Sequence, residues 1–192
     1  MARSFLFLLG SAREGGNTEL LARAAAEQLP EGTEQTWLRL SELRLDDFRD
    51  ARHGGAWSAG ADEELLRETT LAATDVVIAS PLYWYSLSAS AKRYLDHWVT
   101  WLSAPELRFK ETMAGRTLWG VTALAHEHEV VAEPLVLTLN HSAAYMGMRF
   151  GGVLLGNGSK PGDVLQDAQA LARAKTFFAE EAPLAAYPAG AI

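Results

Sequence analysis

The chain has 192 residues, 48% of them apolar and 21% charged, which excludes a disordered or low-complexity protein and predicts one core-forming domain over 1–192. Seventeen Lys and Arg against 24 Asp and Glu leave a formal charge of -7 with no basic run, so a nucleic-acid partner is not expected. With no cysteine, disulfides, thiolate metal sites, cysteine nucleophiles and Cys-ligated iron–sulfur clusters are all excluded.

The N-terminal residues 1–10 carry the one run that imitates a targeting segment, Arg3 followed by Phe5, Leu6, Phe7, Leu8 and Leu9. Its apolar core is shorter than the about 7 to 15 residues of a signal peptide and far too short to span a bilayer. A buried strand is predicted there, and with no membrane-length run elsewhere the expected location is the cytoplasm, with no membrane partner.

Short apolar runs then alternate with amphipathic segments to the end of the chain, the pattern of a parallel sheet covered by helices on both faces. Strands are predicted at 4–9, 35–40, 75–80, 116–124 and 149–155. The third is the clearest, since Val76, Val77, Ile78 and Ala79 are continuously apolar and Pro81 ends the run.

A helix follows each strand. Asn17 and Thr18 offer caps for the first, with Leu20, Leu21, Ala24, Ala25 and Leu29 on its inner face. The second spans 62–73 with Leu65, Leu66 and Leu71 inward. The third carries a stripe of Leu87, Ala91, Leu95, Trp98 and Leu102. The fourth starts at Pro134, which suits a first helical position. Asp163 is expected to cap the fifth, with Val164, Ala168, Leu171 and Phe178 toward the sheet. Residues 41–60 are the long irregular stretch. Five strand–helix units predict a doubly wound fold, whose ligands sit beyond the carboxyl ends of the strands.

After the first strand, Gly10, Ser11, Ala12, Arg13, Glu14, Gly15, Gly16, Asn17 and Thr18 lead straight into a helix. A helix N-terminus offers unpaired N–H groups and the positive end of the dipole, which suits a phosphate. The alternative is a glycine-rich turn with an ordinary cap. No Lys-Ser/Thr pair follows the glycines, as a P-loop needs, and no G-x-G-x-x-G is present for a dinucleotide. One terminal phosphate fits best.

The third strand ends in Ser80, Pro81, Leu82, Tyr83, Trp84, Tyr85 and Ser86. Consecutive aromatics at a strand end suit a planar ligand, or alternatively packing against a helix or a partner subunit. A single phosphate beside a flat ring describes FMN better than ATP or NAD.

With Ser88, Ala89, Lys92 and Asp96, then Tyr145, Met146, Gly147 and Met148, and finally residues 156–163, these two loops resemble the NAD(P)H-dependent FMN reductase branch of the flavodoxin-like superfamily. The likeness runs through nearly the whole chain. It implies a flavodoxin-like three-layer α/β/α sandwich with a five-stranded parallel sheet. It also implies that Ser11, Arg13, Gly16, Asn17 and Thr18 hold the ribityl phosphate, that Pro81, Leu82, Tyr83 and Trp84 border the isoalloxazine, and that Ala123 and Leu124 add contacts after the fourth strand. Family members usually pair as homodimers. Two departures stand out. Residues 50–57 lack the cysteine cluster of the iron–sulfur flavoproteins of this branch, and residues 122–129, with His126, Glu127, His128 and Glu129, are bulkier than the family's glycine-containing loop.

Other chemistries are less well supported. His126 and His128 lie two apart, but no further ligand motif joins them, so no metal site is expected. No G-x-S-x-G elbow supports a serine hydrolase. Lys92 and Asp96 read as a surface i,i+4 pair, and Trp98 and Trp101 as core or interface. The expected function is an FMN-dependent oxidoreductase taking two electrons from NAD(P)H to a quinone, a nitro or azo compound, or free flavin. The cofactor carries the chemistry, so no side chain is expected to be catalytic. The alternatives are a flavodoxin-type one-electron carrier and a flavin-free interaction module on the same fold.

Overall fold

Continuous apolar runs are buried on both sides only inside a parallel sheet, and the computed structural model, which describes residues 2–50 and 58–188, contains one. Its strands are β1 (Ser4–Leu9), β2 (Glu34–Arg39), β3 (Asp75–Ala79), β4 (Thr117–Leu124) and β5 (Arg149–Asn157), in the order β2-β1-β3-β4-β5 with every pairing parallel. The run that imitates a leader is thus an interior strand, β1, between β2 and β3. Arg3 at its head forks onto Asp75 of β3, with Nη2–Oδ1 at 2.5 Å and Nε–Oδ2 at 3.0 Å.

The period of two sorts each strand's side chains between two cores. Leu6, Leu8, Val76, Ile78 and Leu118 face α2 (Ala61–Ala72), α3 (Ala89–Leu102), α4 (Phe109–Met113) and α5 (Glu133–Met146). Phe5, Phe7, Leu9, Val77, Ala79, Trp119 and Val121 face α1 (Asn17–Ala26) and α6 (Ala168–Ala174). The result is the expected three-layer α/β/α sandwich of flavodoxin-like type. Among the described residues no helix is long and apolar enough to cross a membrane.

Several local expectations need correction. In α2, Leu66 is buried but Leu65 is exposed and Leu71 only half-buried; the inner stripe is Glu63, Leu66 and Thr70, at helical spacing. Two of those three are polar, so a search for apolar periodicity is drawn off register. In α3, Ala91 and Trp98 are buried as expected, yet Leu95 and Leu102 lie at the margin while Tyr94, His97 and Trp101 fill the centre. Asp163 does not cap the last helix. It heads a single 3-10 turn, Asp163–Gln166, and takes the N–H groups of Ser159 and Lys160; Asp167 caps α6 by accepting from Ala170 N–H at 2.9 Å. Ala168 is accordingly exposed, and Ala170 and Ala174 face the sheet. The short helix α4 was not foreseen.

The two edge strands are packed differently. On β2, Trp37 stacks flat on Phe7 at 4.0 Å, with the Arg23 guanidinium over its outer face at 4.4 Å. Along β5, the segment after α6 bonds to the edge, Phe150 N–H to Pro183 O and Ala185 N–H to Met148 O, which blocks strand addition there. Topology then fixes where a ligand can bind. The chain moves outward from β1 to β2 and returns across β1 to β3, so the helices leave opposite faces at the β1/β3 boundary and open a crevice beyond Leu9 and Ala79.

Candidate functional site

Main-chain bonds stitch the strand ends around this crevice. Gly10 N–H donates to Ala79 O at 2.8 Å, Ser80 N–H to Val121 O at 3.0 Å, and Gly158 N–H to Leu124 O at 3.0 Å. Ser90 Oγ, in the first turn of α3, donates to Gly10 O at 2.9 Å. Glycine is required at position 10, where a Cβ would stand 2.8 Å from Ser88 Oγ and 3.1 Å from Ala91 Cβ.

The loop after β1 ends at Gly16, the N-cap of α1, which supplies no side-chain cap. The first-turn N–H groups of α1 therefore lack a capping acceptor among the described residues, and the helix dipole is open to an anion. Within the loop, Ser11 Oγ accepts from Arg13 N–H at 3.1 Å, which leaves its own proton free to be donated. The N–H groups of Ala12 and Glu14 have no acceptor among the described residues. A Cβ on Gly16 would project to within 3.5 Å of Ser11 Oγ, into the hollow of the loop. This is a fitting receptacle for a phosphate monoester.

Two expected phosphate ligands are partly engaged elsewhere. The Asn17 amide donates to Lys160 O at 2.8 Å and accepts from Gly162 N–H at 2.9 Å, tying α1 to the loop after β5. Thr18 Oγ1 accepts from Ala123 N–H at 3.2 Å and ties α1 to the end of β4. Asn17 thus offers its main-chain N–H rather than its side chain, and Thr18 its remaining hydroxyl proton. Arg13 is exposed at the rim.

Beneath the loop lies a pair that apolar and glycine patterns do not reveal. Glu19, only 4% exposed, accepts from Gly15 N–H at 3.0 Å, from Arg23 at 2.8 Å and from Arg39 Nη2 at 2.7 Å. Burial pushes its pKa up, but the hydrogen bonds from Arg39, Arg23 and Gly15 outweigh it, so the carboxyl lies below its ordinary value. Arg39 closes β2, and because β2 pairs with β1 its side chain reaches the loop: Nη1 donates to Arg13 O at 3.0 Å and to Ser11 O at 3.4 Å. The signal in the sequence was a lone arginine at the carboxyl end of the strand beside the loop.

The other wall is the turn after β3. Tyr83 and Ser86 exchange N–H···O bonds at 3.1 and 3.0 Å across Trp84 and Tyr85, whose φ values are +49° and +65°. Both central residues at positive φ mark a type I′ hairpin, ordinarily the preserve of Asn and Gly. Ser80 Oγ fixes its base by accepting from Ser88 N–H at 2.9 Å. Pro81 and Leu82 are half-buried, Tyr83 and Tyr85 exposed, and Trp84 is 93% exposed. At the end of β4, Ala123 is half-buried and Leu124 buried.

His126 Nδ1 accepts from His128 N–H at 3.0 Å, and no metal-holding cluster occurs among the described residues. Lys92 Nζ and Asp96 Oδ1 form an i,i+4 pair at 2.5 Å. Trp98 and Trp101 are buried in the α3 core. The cysteine-free stretch at 50–57 lies, except for Asp50, outside the described residues.

Comparison with known proteins identifies the family of the chain. YwqN of Bacillus subtilis (strain 168), which carries the provisional description of an NAD(P)H-dependent FMN-containing oxidoreductase, is 31% identical over 168 residues, covering 86% of this chain and 91% of its own. The solved structure of a B. subtilis protein described as Trp repressor binding protein superposes with a TM-score of 0.71 at 26% identity, covering 90% of this chain and 96% of that one. A Klebsiella pneumoniae structure provisionally described as a quinone reductase shares the fold, with a TM-score of 0.68 at 18% identity, over 94% of this chain and 86% of that one. The family model described as NADPH-dependent FMN reductase matches residues 4–151, so the chain belongs to that family and is an FMN-dependent oxidoreductase with the nicotinamide as electron donor.

Proposed function

We propose that the chain passes two electrons from NAD(P)H through FMN to a small acceptor, a quinone, a nitro or azo compound, or free flavin. The observation that carries this reading is the pairing of an uncapped α1 N-terminus with an exposed, strained aromatic hairpin at the next strand end. The first suits a single phosphate and the second a planar ring.

FMN, when bound, supplies the redox chemistry. The chain's own part is to hold and shield it. The N–H groups of Ala12, Glu14 and the first turn of α1, with Ser11 Oγ and Thr18 Oγ1, bind the phosphate, and Arg13 adds charge at the rim. Gly16 leaves room for it. Pro81, Leu82, Tyr83 and Trp84 border the ring from the β3 side, and Ala123 and Leu124 from β4. No side chain is assigned a proton-transfer role. The exposure of Trp84 supports pairing of two copies near the ring, and dependence on a nicotinamide donor supports a cytoplasmic location.

Both substrates reach the ring through one mouth beside the hairpin, so they alternate. Initial rates measured over a grid of NAD(P)H and benzoquinone concentrations are expected to give parallel double-reciprocal lines. Intersecting lines would contradict the shared mouth, and a protein that turns over no NAD(P)H would favour an electron carrier instead.

A further inference from the structure

We propose that Arg39 is a positioning residue that sets the phosphate loop in its anion-binding conformation and offsets the buried charge of Glu19 beneath it. This rests on the FMN reading of the crevice. Its side chain is 12% exposed and spends its fork on the loop, donating to Arg13 O at 3.0 Å, to Ser11 O at 3.4 Å and to Glu19 Oε2 at 2.7 Å. Only its Nε faces outward, toward Glu42 Oε1 at 3.4 Å.

Peptide geometry gives these bonds a consequence on the far side of the loop. In a planar trans peptide the C=O and the following N–H point in opposite directions. A cation that holds Ser11 O and Arg13 O therefore turns Ala12 N–H and Glu14 N–H away from itself. Both of these N–H groups lack an acceptor among the described residues. Arg39 thus orients donors that it does not touch, before any anion arrives.

Charge is the second part. The Glu19 carboxylate is buried directly under the loop and pins Gly15 N–H, so by itself it would repel a phosphate bound above. Arg23 is half-exposed and shared with the face of Trp37, whereas Arg39 is almost enclosed and bonds Glu19 and the loop together. Replacing Arg39 would release both carbonyls and leave Glu19 less compensated. A lysine could keep the charge, but one ammonium cannot reproduce a planar fork on three acceptors.

FMN and riboflavin differ only in the phosphate, which makes the ratio of their affinities the diagnostic. Flavin-free wild type, Arg39→Gln and Arg39→Lys would each be titrated with both ligands, following quenching of flavin fluorescence. Arg39→Gln is expected to weaken FMN by about tenfold or more, the size of one lost charge-assisted interaction, with riboflavin changed by less than about twofold. Arg39→Lys is expected to fall between it and wild type. A merely structural role would weaken both ligands alike, and that result, or an unchanged FMN affinity in both variants, would overturn the proposal. If Arg39→Gln fails to fold, the lysine variant carries the same test, because the ratio does not depend on the folded fraction. Wild type that binds neither flavin would instead overturn the FMN reading itself.

Discussion

Trp84 and Tyr85 occupy both central positions of a tight hairpin in a conformation that costs a bulky residue about 1–3 kcal/mol. Their rings are largely in solvent and return little packing, so the strain is a cost of presenting aromatic surface at the mouth of the crevice. Tyr85→Gly is expected to raise stability by about 1 kcal/mol, read from the urea midpoint, because glycine adopts positive φ freely. The same variant is expected to lose activity toward aromatic acceptors. A lowered midpoint would show that the ring is needed for folding. Glu19 has a different signature. Its folded-state pKa lies below the unfolded value, so its contribution is fully present above the unfolded pKa and is lost as pH falls through the folded one. The wild-type urea midpoint is therefore expected to fall on acidification from about pH 6 to about pH 3, and Glu19→Gln to flatten that fall. Equal slopes for the two proteins would remove Glu19 from the account.

At the scale of elements, α2 is tied to α3 by a polar knot beside the buried Leu66. Glu63 Oε1 accepts from Trp101 Nε1 at 3.1 Å and meets His97 Nδ1 at 3.0 Å, while His97 Nε2 reaches Asp46 O at 3.3 Å and so ties down the irregular segment after β2. Glu63→Ala would strand two buried polar atoms, and a loss of about 2–4 kcal/mol is expected from urea unfolding. A loss within about 0.5 kcal/mol, the range of ordinary surface changes, would contradict the knot. This is also where the sequence was least legible. The strands were readable because burial on both faces leaves runs such as Val76, Val77, Ile78 and Ala79 with nothing polar in them. The inner face of α2 was not, since Glu63 and Thr70 sit where apolar periodicity expects carbon. Likewise the crevice loops announced themselves through Gly15, Gly16 and three adjacent aromatics. The partnership of Glu19 with Arg39 is a long-range contact set by the register of β1 against β2, and no local pattern encodes it.

At the scale of the molecule, one topological reversal places the open N-terminus of α1 and an aromatic hairpin at adjoining strand ends, and hydrogen bonds between Gly10, Ala79, Ser90 and their neighbours hold the two together. The rest of the chain serves that placement: α1 aims its open N-terminus, the loop after β5 steadies it through Asn17, and the C-terminal segment seals the β5 edge. If this crevice holds FMN and admits a nicotinamide donor to it, the flavin is reduced in place. The most direct test is the visible absorption spectrum of the FMN-loaded protein under anaerobic conditions, before and after addition of NADPH or NADH. The protein is expected to be yellow, with flavin absorbance that bleaches on addition of at least one of the two donors; a protein that retains no FMN, or a bound flavin that neither donor bleaches, would contradict this role of the crevice.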